Sequence, residues 1–130
     1  MIMADSIKEA ETWIRNEFLP KKFNQTFAIR KLTVQSGGEM EFDAVSEDGK
    51  IVCIISTSRG MTAEGKPDTD VLAKIREKLL WTVSINEKPE TIVFAFTEKS
   101  MGELLKQEKE KGRLPKQMKM LPVKLPVGPT

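Results

Sequence analysis

The sequence predicts one α/β domain built on a mixed sheet, with elements in the order α-β-β-β-α-β-α-β. Three observations predict it. Asp48-Gly49 separates two strand-like runs, Met40–Val45 and Lys50–Ser58, and Asp-Gly between such runs is the strongest short hairpin signal. Ile51 to Ile55 is apolar at every position, as in a strand buried on both faces at the centre of a sheet. A helical repeat then separates that strand from a second apolar run, Thr91–Thr97, and strand, helix and strand in this order predict a parallel crossover unit.

The remaining elements follow from periodicity and chain breakers. Ile7, Ala10, Ile14 and Phe18 recur at helical spacing, with Asp5 or Ser6 as the candidate N-cap and Pro20 as the expected end, so an amphipathic helix opens the chain. Phe27–Gln35 is rich in β-branched and aromatic residues between Asn24 and Gly37-Gly38, and predicts an outer strand. A polar loop, Arg59–Asp68, leads into a helix from Thr69 to Ile85. Its apolar face is Val71, Leu72, Ile75, Leu79, Leu80 and Val83, and Asp68 and Asp70 suit its N-terminus. Met101–Lys111 reads as a short charged helix ending at Gly112. Met118–Lys124 reads as an edge strand, because Pro122 lacks the N–H a central strand needs, and the tail from Leu125 is expected to fray.

With 130 residues the chain is sized for a single core, and 39% apolar with 31% charged residues is the composition of a water-soluble protein. No apolar run approaches the roughly 20 residues that span a bilayer, and Met1–Asp5 runs straight into charge. No membrane association and a cytoplasmic location are therefore the expectation. The single cysteine, Cys53, lies inside an apolar strand and is expected to be a buried thiol. There is no histidine, which excludes imidazole-bound zinc and every Ser-His or Cys-His catalytic pair. Charge is uneven. Lys99–Lys124 carries eight basic residues against three Glu, net +5, whereas residues 1–98 carry thirteen against sixteen acids, net −3. Such a basic end is either a solvated face or a footprint for nucleic acid. The candidate DNA or RNA contacts are Lys106, Lys109, Lys111, Arg113, Lys116 and Lys119, with Arg59 and Lys66 in the loop. That loop is not a phosphate-binding loop, since Lys66 is followed by Pro67-Asp68 rather than by Ser or Thr opening a helix.

Counting outward from Asp48-Gly49 fixes an expected register: Glu47 opposite Lys50, Val45 opposite Val52, Asp43 opposite Ile54 and Glu41 opposite Ser56. These share one face with Cβ atoms about 4.5–5.5 Å apart. Met40, Phe42, Ala44, Cys53 and Ile55 form the other, a core face. Glu41 and Asp43 are thus acids beside a central strand, where solvation is partial and a carboxylate calls for a partner.

In Glu41-Phe42-Asp43-Ala44-Val45, Asp48-Gly49-Lys50-Ile51-Val52 and Thr57-Ser58, and in its element order, residues 5–98 resemble the PD-(D/E)xK, or restriction-endonuclease-like, nuclease superfamily. The resemblance implies a three-layer α-β-α fold, with Asp43 as the first metal-binding acid and Glu9 or Glu11 as the accessory acid of the first helix. The copy is degenerate: Ile54 stands where the family has its second acid and Ser56 where it has its lysine. Hydrolysis of this type needs Mg²⁺ between carboxylates and a cation that activates water. Glu41 as replacement acid and Lys74 as displaced cation are the candidate rescues; a half-exposed strand residue and a solvated helix lysine are the plain readings. The expected function is a catalytically impaired or inactive nuclease-like domain that binds nucleic acid or a protein partner, without a cofactor. The alternatives are an active Mg²⁺-dependent nuclease using Glu41, Asp43 and Lys74, and a structural or regulatory protein-binding subunit.

Overall fold

Five strands form one mixed sheet in the sequential order β1-β2-β3-β4-β5. The structure is a computed structural model that describes residues 6–115 and 117–125. The candidate cap Asp5, the side chains of Ser6 and Ile7, Lys116 and the tail from Pro126 lie outside the described residues. β1 (Phe27–Thr33), β2 (Glu39–Ser46) and β3 (Ile51–Ser56) make an antiparallel meander. β4 (Thr91–Phe96) and β5 (Met118–Pro122) then add in parallel, each reached through a helix, α3 (Thr69–Val83) and α4 (Lys99–Glu110). The order of elements follows the sequence pattern. Among the described residues no helix is long and apolar enough to cross a membrane.

Helices cover both sheet faces, which is why β3 and β4 are apolar at successive positions. On one face Ile54, Ile92, Phe94 and Met118 pack against Ile75 and Leu79 of α3 and Met101 and Leu105 of α4. On the other, Ala44, Cys53, Ile55, Val93 and Ala95 meet Ile14 and Leu19 of the N-terminal helical segment. Cys53 is a free, fully buried thiol, its pKa pushed up by that burial. A third cluster, Val34, Phe42, Val45, Val52 and Ile85 with Trp81 beside it, closes the end of the sheet under the last turns of α3.

Three expectations need correction. Pro20 does not end the first helix. α1 (Ser6–Trp13) passes through a π-type turn at Ile14–Phe18 into α2 (Leu19–Phe23), where Pro20 occupies the first turn. A proline without N–H is tolerated where the ladder is already shifted and Leu19 N–H donates to Ile14 O. Chain reversal comes instead at Asn24, in the left-handed region at φ 57°. Leu80, assigned to the buried face of α3, is 59% exposed. Finally, Met40 and Phe42 pack with Val45 and Val52 rather than with Ala44 and Cys53, for a reason that shapes the site.

Candidate functional site: the Asp43 cleft

The hairpin turn sets the site's geometry. Gly49 takes φ +76°, and the Asp48 carboxylate accepts from Lys50 N–H at 2.9 Å and from the Ser46 hydroxyl at 2.7 Å. Those two bonds, the amide first, hold its pKa below the ordinary value. Ser46 Oγ in turn accepts from Ile51 N–H. The ladder that leaves this turn pairs Val45 with Val52 and Ala44 with Cys53, the expected register.

It stops there because β2 carries a bulge. Between Ala28↔Val45 and Arg30↔Phe42, β1 advances two residues and β2 three, so one extra residue sits at Asp43–Ala44. A one-residue slip exchanges the faces of everything beyond it. Met40 and Phe42 therefore turn toward Trp81. Glu41 pairs with Lys31 of β1 instead of standing opposite Ser56, and its side chain is exposed. Extending the β2–β3 register would give Ile55 N–H the carbonyl of Phe42. With the bulge in the way, the Asp43 carboxylate accepts that N–H through Oδ2 at 3.0 Å.

Three further charged groups surround Asp43. Lys78 Nζ of α3 lies 3.4 Å from Oδ2, and Arg15 Nη1 donates to the Asp43 main-chain O at 3.2 Å. Glu11 of α1 has its pKa raised, first by burial and then by the Asp43 charge, with Lys78 and Arg15 pulling it back. Of the two acids the family resemblance offers on the first helix, Glu11 borders the cleft, whereas Glu9 is exposed and outside its lining. Lys78 and Arg15 were missed by sequence reasoning, although Lys78 stands one helical turn beyond Lys74 and so on the same side of α3.

A cleft of about 210 Å³, which Asp43 does not itself line but reaches through its partner Lys78, lies at the C-terminal end of β3 and is bordered by Glu11, Ser56, Ser58, Lys74 and Lys78 over Ile54 and Phe94. It adjoins a hollow of about 300 Å³ between β2 and α3, which Glu41, Asp43, Lys74 and Trp81 border. Ser56 is half-buried and accepts from Ser58 N–H at 3.2 Å. Lys74 is exposed. Ile54, at the place the resemblance assigns to a second acid, is 3% exposed and packed against α3.

These donors do not make a magnesium site. Asp43 Oδ2 is already engaged by an amide and an ammonium, Glu11 is pushed toward its neutral form, and Ile54 supplies hydrocarbon where the resemblance expects a second ligand. Among the described residues no group of three or more His, Cys, Asp or Glu is placed to hold a metal.

The basic candidates divide. Arg59 and Lys66 are exposed in a loop that Met61 and Pro67 close as a small bridge, and Gly60 N–H ties it to Ser100 Oγ at the start of α4. Lys106, Lys111 and Lys119 are exposed. Lys109 instead donates to Met118 O at 3.0 Å, and Arg113 pairs with Glu108 at 3.4 Å. Glu108, buried and also bonded by Arg76, went unnoticed in the sequence. Its signal was its spacing, since Met101, Leu104, Leu105 and 108 form the buried stripe of α4.

Comparison with known proteins adds no relative: no family model matches the chain, and no curated protein or solved structure matches it.

Proposed function

We propose that this chain is a nuclease-like domain of PD-(D/E)xK type, restriction-endonuclease-like in fold, that has lost cleavage and serves as a binding module for nucleic acid. The observation that carries this reading is the engagement of the Asp43 carboxylate by Ile55 N–H and Lys78 beside an apolar Ile54. Phosphodiester hydrolysis needs a metal gripped by carboxylates and a group that activates water. Here the carboxylate fastens strand to strand and helix to sheet, while Ser56 carries no charge. Lys74 borders the cleft, Arg59 and Lys66 are exposed in the loop that follows β3, and all three supply cations suited to intact phosphates. Backbone contacts of this kind position nucleic acid without cutting it.

The competing reading, an active Mg²⁺-dependent nuclease using Glu41, Asp43 and Lys74, has less support because Asp43 Oδ2 is already bonded by Ile55 N–H and Lys78, although all three residues border one hollow. Fluorescence anisotropy with labelled single- and double-stranded DNA and RNA, titrated with salt and run with and without Mn²⁺, tests both. Binding that weakens steeply with salt and falls in Lys74→Glu, with probes left intact, is the expected result. Mn²⁺-dependent cleavage that disappears in Asp43→Ala would overturn it, and so would salt-independent binding or none.

A further inference from the structure

A second surface, remote in sequence from the Asp43 hairpin, has a different character. Gly102 stands in the interior of α4, where glycine is unfavourable relative to alanine. A Cβ there would lie 2.5 Å from Phe96 Cε2 and 2.7 Å from Cζ. The missing side chain lets the Phe96 ring lie against the helix. What remains is a trough of about 340 Å³ between α4 and the end of β5, floored by Phe96, Met120, Pro122 and Val123. On the α4 side Lys99 and Lys106 flank it with Glu103 between them. They are seven residues, about 10.5 Å of helix, apart. Neither lysine has an ion-pair partner among the described residues.

The surroundings strengthen the positive sign. Lys99–Lys124 holds a net +5 in sequence. One of its three acids, Glu108, is buried and answered by Arg76 and Arg113. The outer edge of β5 is poorly suited to pairing with an added strand. Pro122 has no N–H, Met118 N–H donates to Pro115 O, and Met118 O accepts from Lys109. A partner must therefore be held by side chains. An apolar floor offers nothing to phosphate but accepts a hydrophobic side chain, so nucleic acid is the poorer occupant.

We propose that the α4–β5 trough docks an acidic peptide segment of a partner protein, an apolar anchor entering over Phe96 and Met120 while flanking carboxylates meet Lys99 and Lys106. The proposal is independent of the Asp43 cleft.

Its test uses fluorescein-labelled 12-residue peptides of Asp and Glu carrying one central Phe or one central Ser, with a 12-nucleotide dT oligomer as the third probe. The Phe peptide is expected to bind at least tenfold more tightly than the Ser peptide, and dT binding is expected to fall no further in Lys99→Glu with Lys106→Glu than in Lys111→Glu with Lys119→Glu. Lys99→Glu with Lys106→Glu is expected to abolish that preference. Lys111→Glu with Lys119→Glu, an equal change of charge elsewhere, keeps it, and Asp43→Ala leaves it untouched; melting curves verify that each variant is folded. Equal affinity for the Phe and Ser peptides, dT binding lost specifically on reversal of Lys99 and Lys106, no peptide binding, or a preference that survives that reversal would each overturn the proposal. Self-association in sedimentation without peptide binding would overturn it in favour of a second copy of the chain.

Discussion

Two carboxylates tie helices to the rest of this molecule, and they do so in opposite ways. The Glu108 side chain is 5% exposed and bonded by two guanidinium groups, from Arg76 on α3 and from Arg113 beyond α4. Asp43 is 32% exposed and holds one amide and one ammonium, the latter at 3.4 Å. Both charges are compensated. Glu108 is shut away from solvent and belongs to the architecture. Asp43 borders an open hollow, so its partners hold it in place without removing it from solvent. A strand carboxylate can thus border an open hollow and still act as the clasp at a bulge.

The largest effect is expected at the buried clasp. Glu108→Ala leaves Arg76 and Arg113 without their acceptor and opens space in the α4 stripe beside Leu104 and Leu105. Removal of one partner of a buried pair costs about 3 kcal/mol, read as a lower urea midpoint at unchanged slope. The value is taken from the low end because both guanidinium groups are about half exposed. A loss no larger than that of a surface mutation would erase the contrast between the two acids.

At Asp43 two substitutions separate its jobs. Asp43→Ala strands the Ile55 N–H, a part-buried donor, and is expected to cost about 1.5 kcal/mol. Asp43→Asn keeps an acceptor for that amide and loses only the partly exposed pair with Lys78, for about 0.5 kcal/mol. Denaturation of both variants checks the ranking. Equal losses would mean that the ion pair, and not the strand clasp, is what Asp43 supplies.

Much of this was legible in the sequence, and what was missed has physical causes. Asp48-Gly49 fixed the pairing of Val45 with Val52 because its turn bonds are local, and the apolar run of β3 announced its burial. The bulge carries no such mark. Two strand residues out of phase look the same in sequence as two in phase, and only the pairing with β1 displays the slip. That slip took Glu41 out of register with Ser56 and left Asp43 with Ile55. Pro20 misled because its usual effect assumes an unbroken α ladder, whereas a π-type turn precedes it. Glu108 was readable, as an acid standing in an apolar stripe.

The smallest effect sharpens the comparison most, since it isolates the charge around Asp43. Glu11 is raised above its ordinary value of 4.5, chiefly by burial and next by Asp43. A carboxyl raised in the folded state favours folding when protonated, so its contribution is fully present below pH 4.5 and is lost as pH rises through the folded-state value. Glu11→Gln holds the neutral form at every pH. The variant should therefore match the natural protein near pH 4 and exceed it in stability by a margin that opens as pH rises toward 7, by less than the effect of Asp43→Asn. Asp48, whose pKa is lowered, acts with the opposite sign in both proteins and cancels in the difference. In the Asp43→Asn background the margin should shrink, because the second cause of the shift is gone, yet not vanish, because burial remains. A margin independent of pH, or one untouched by Asp43→Asn, would detach Glu11 from Asp43 and leave the clasp with a single acid.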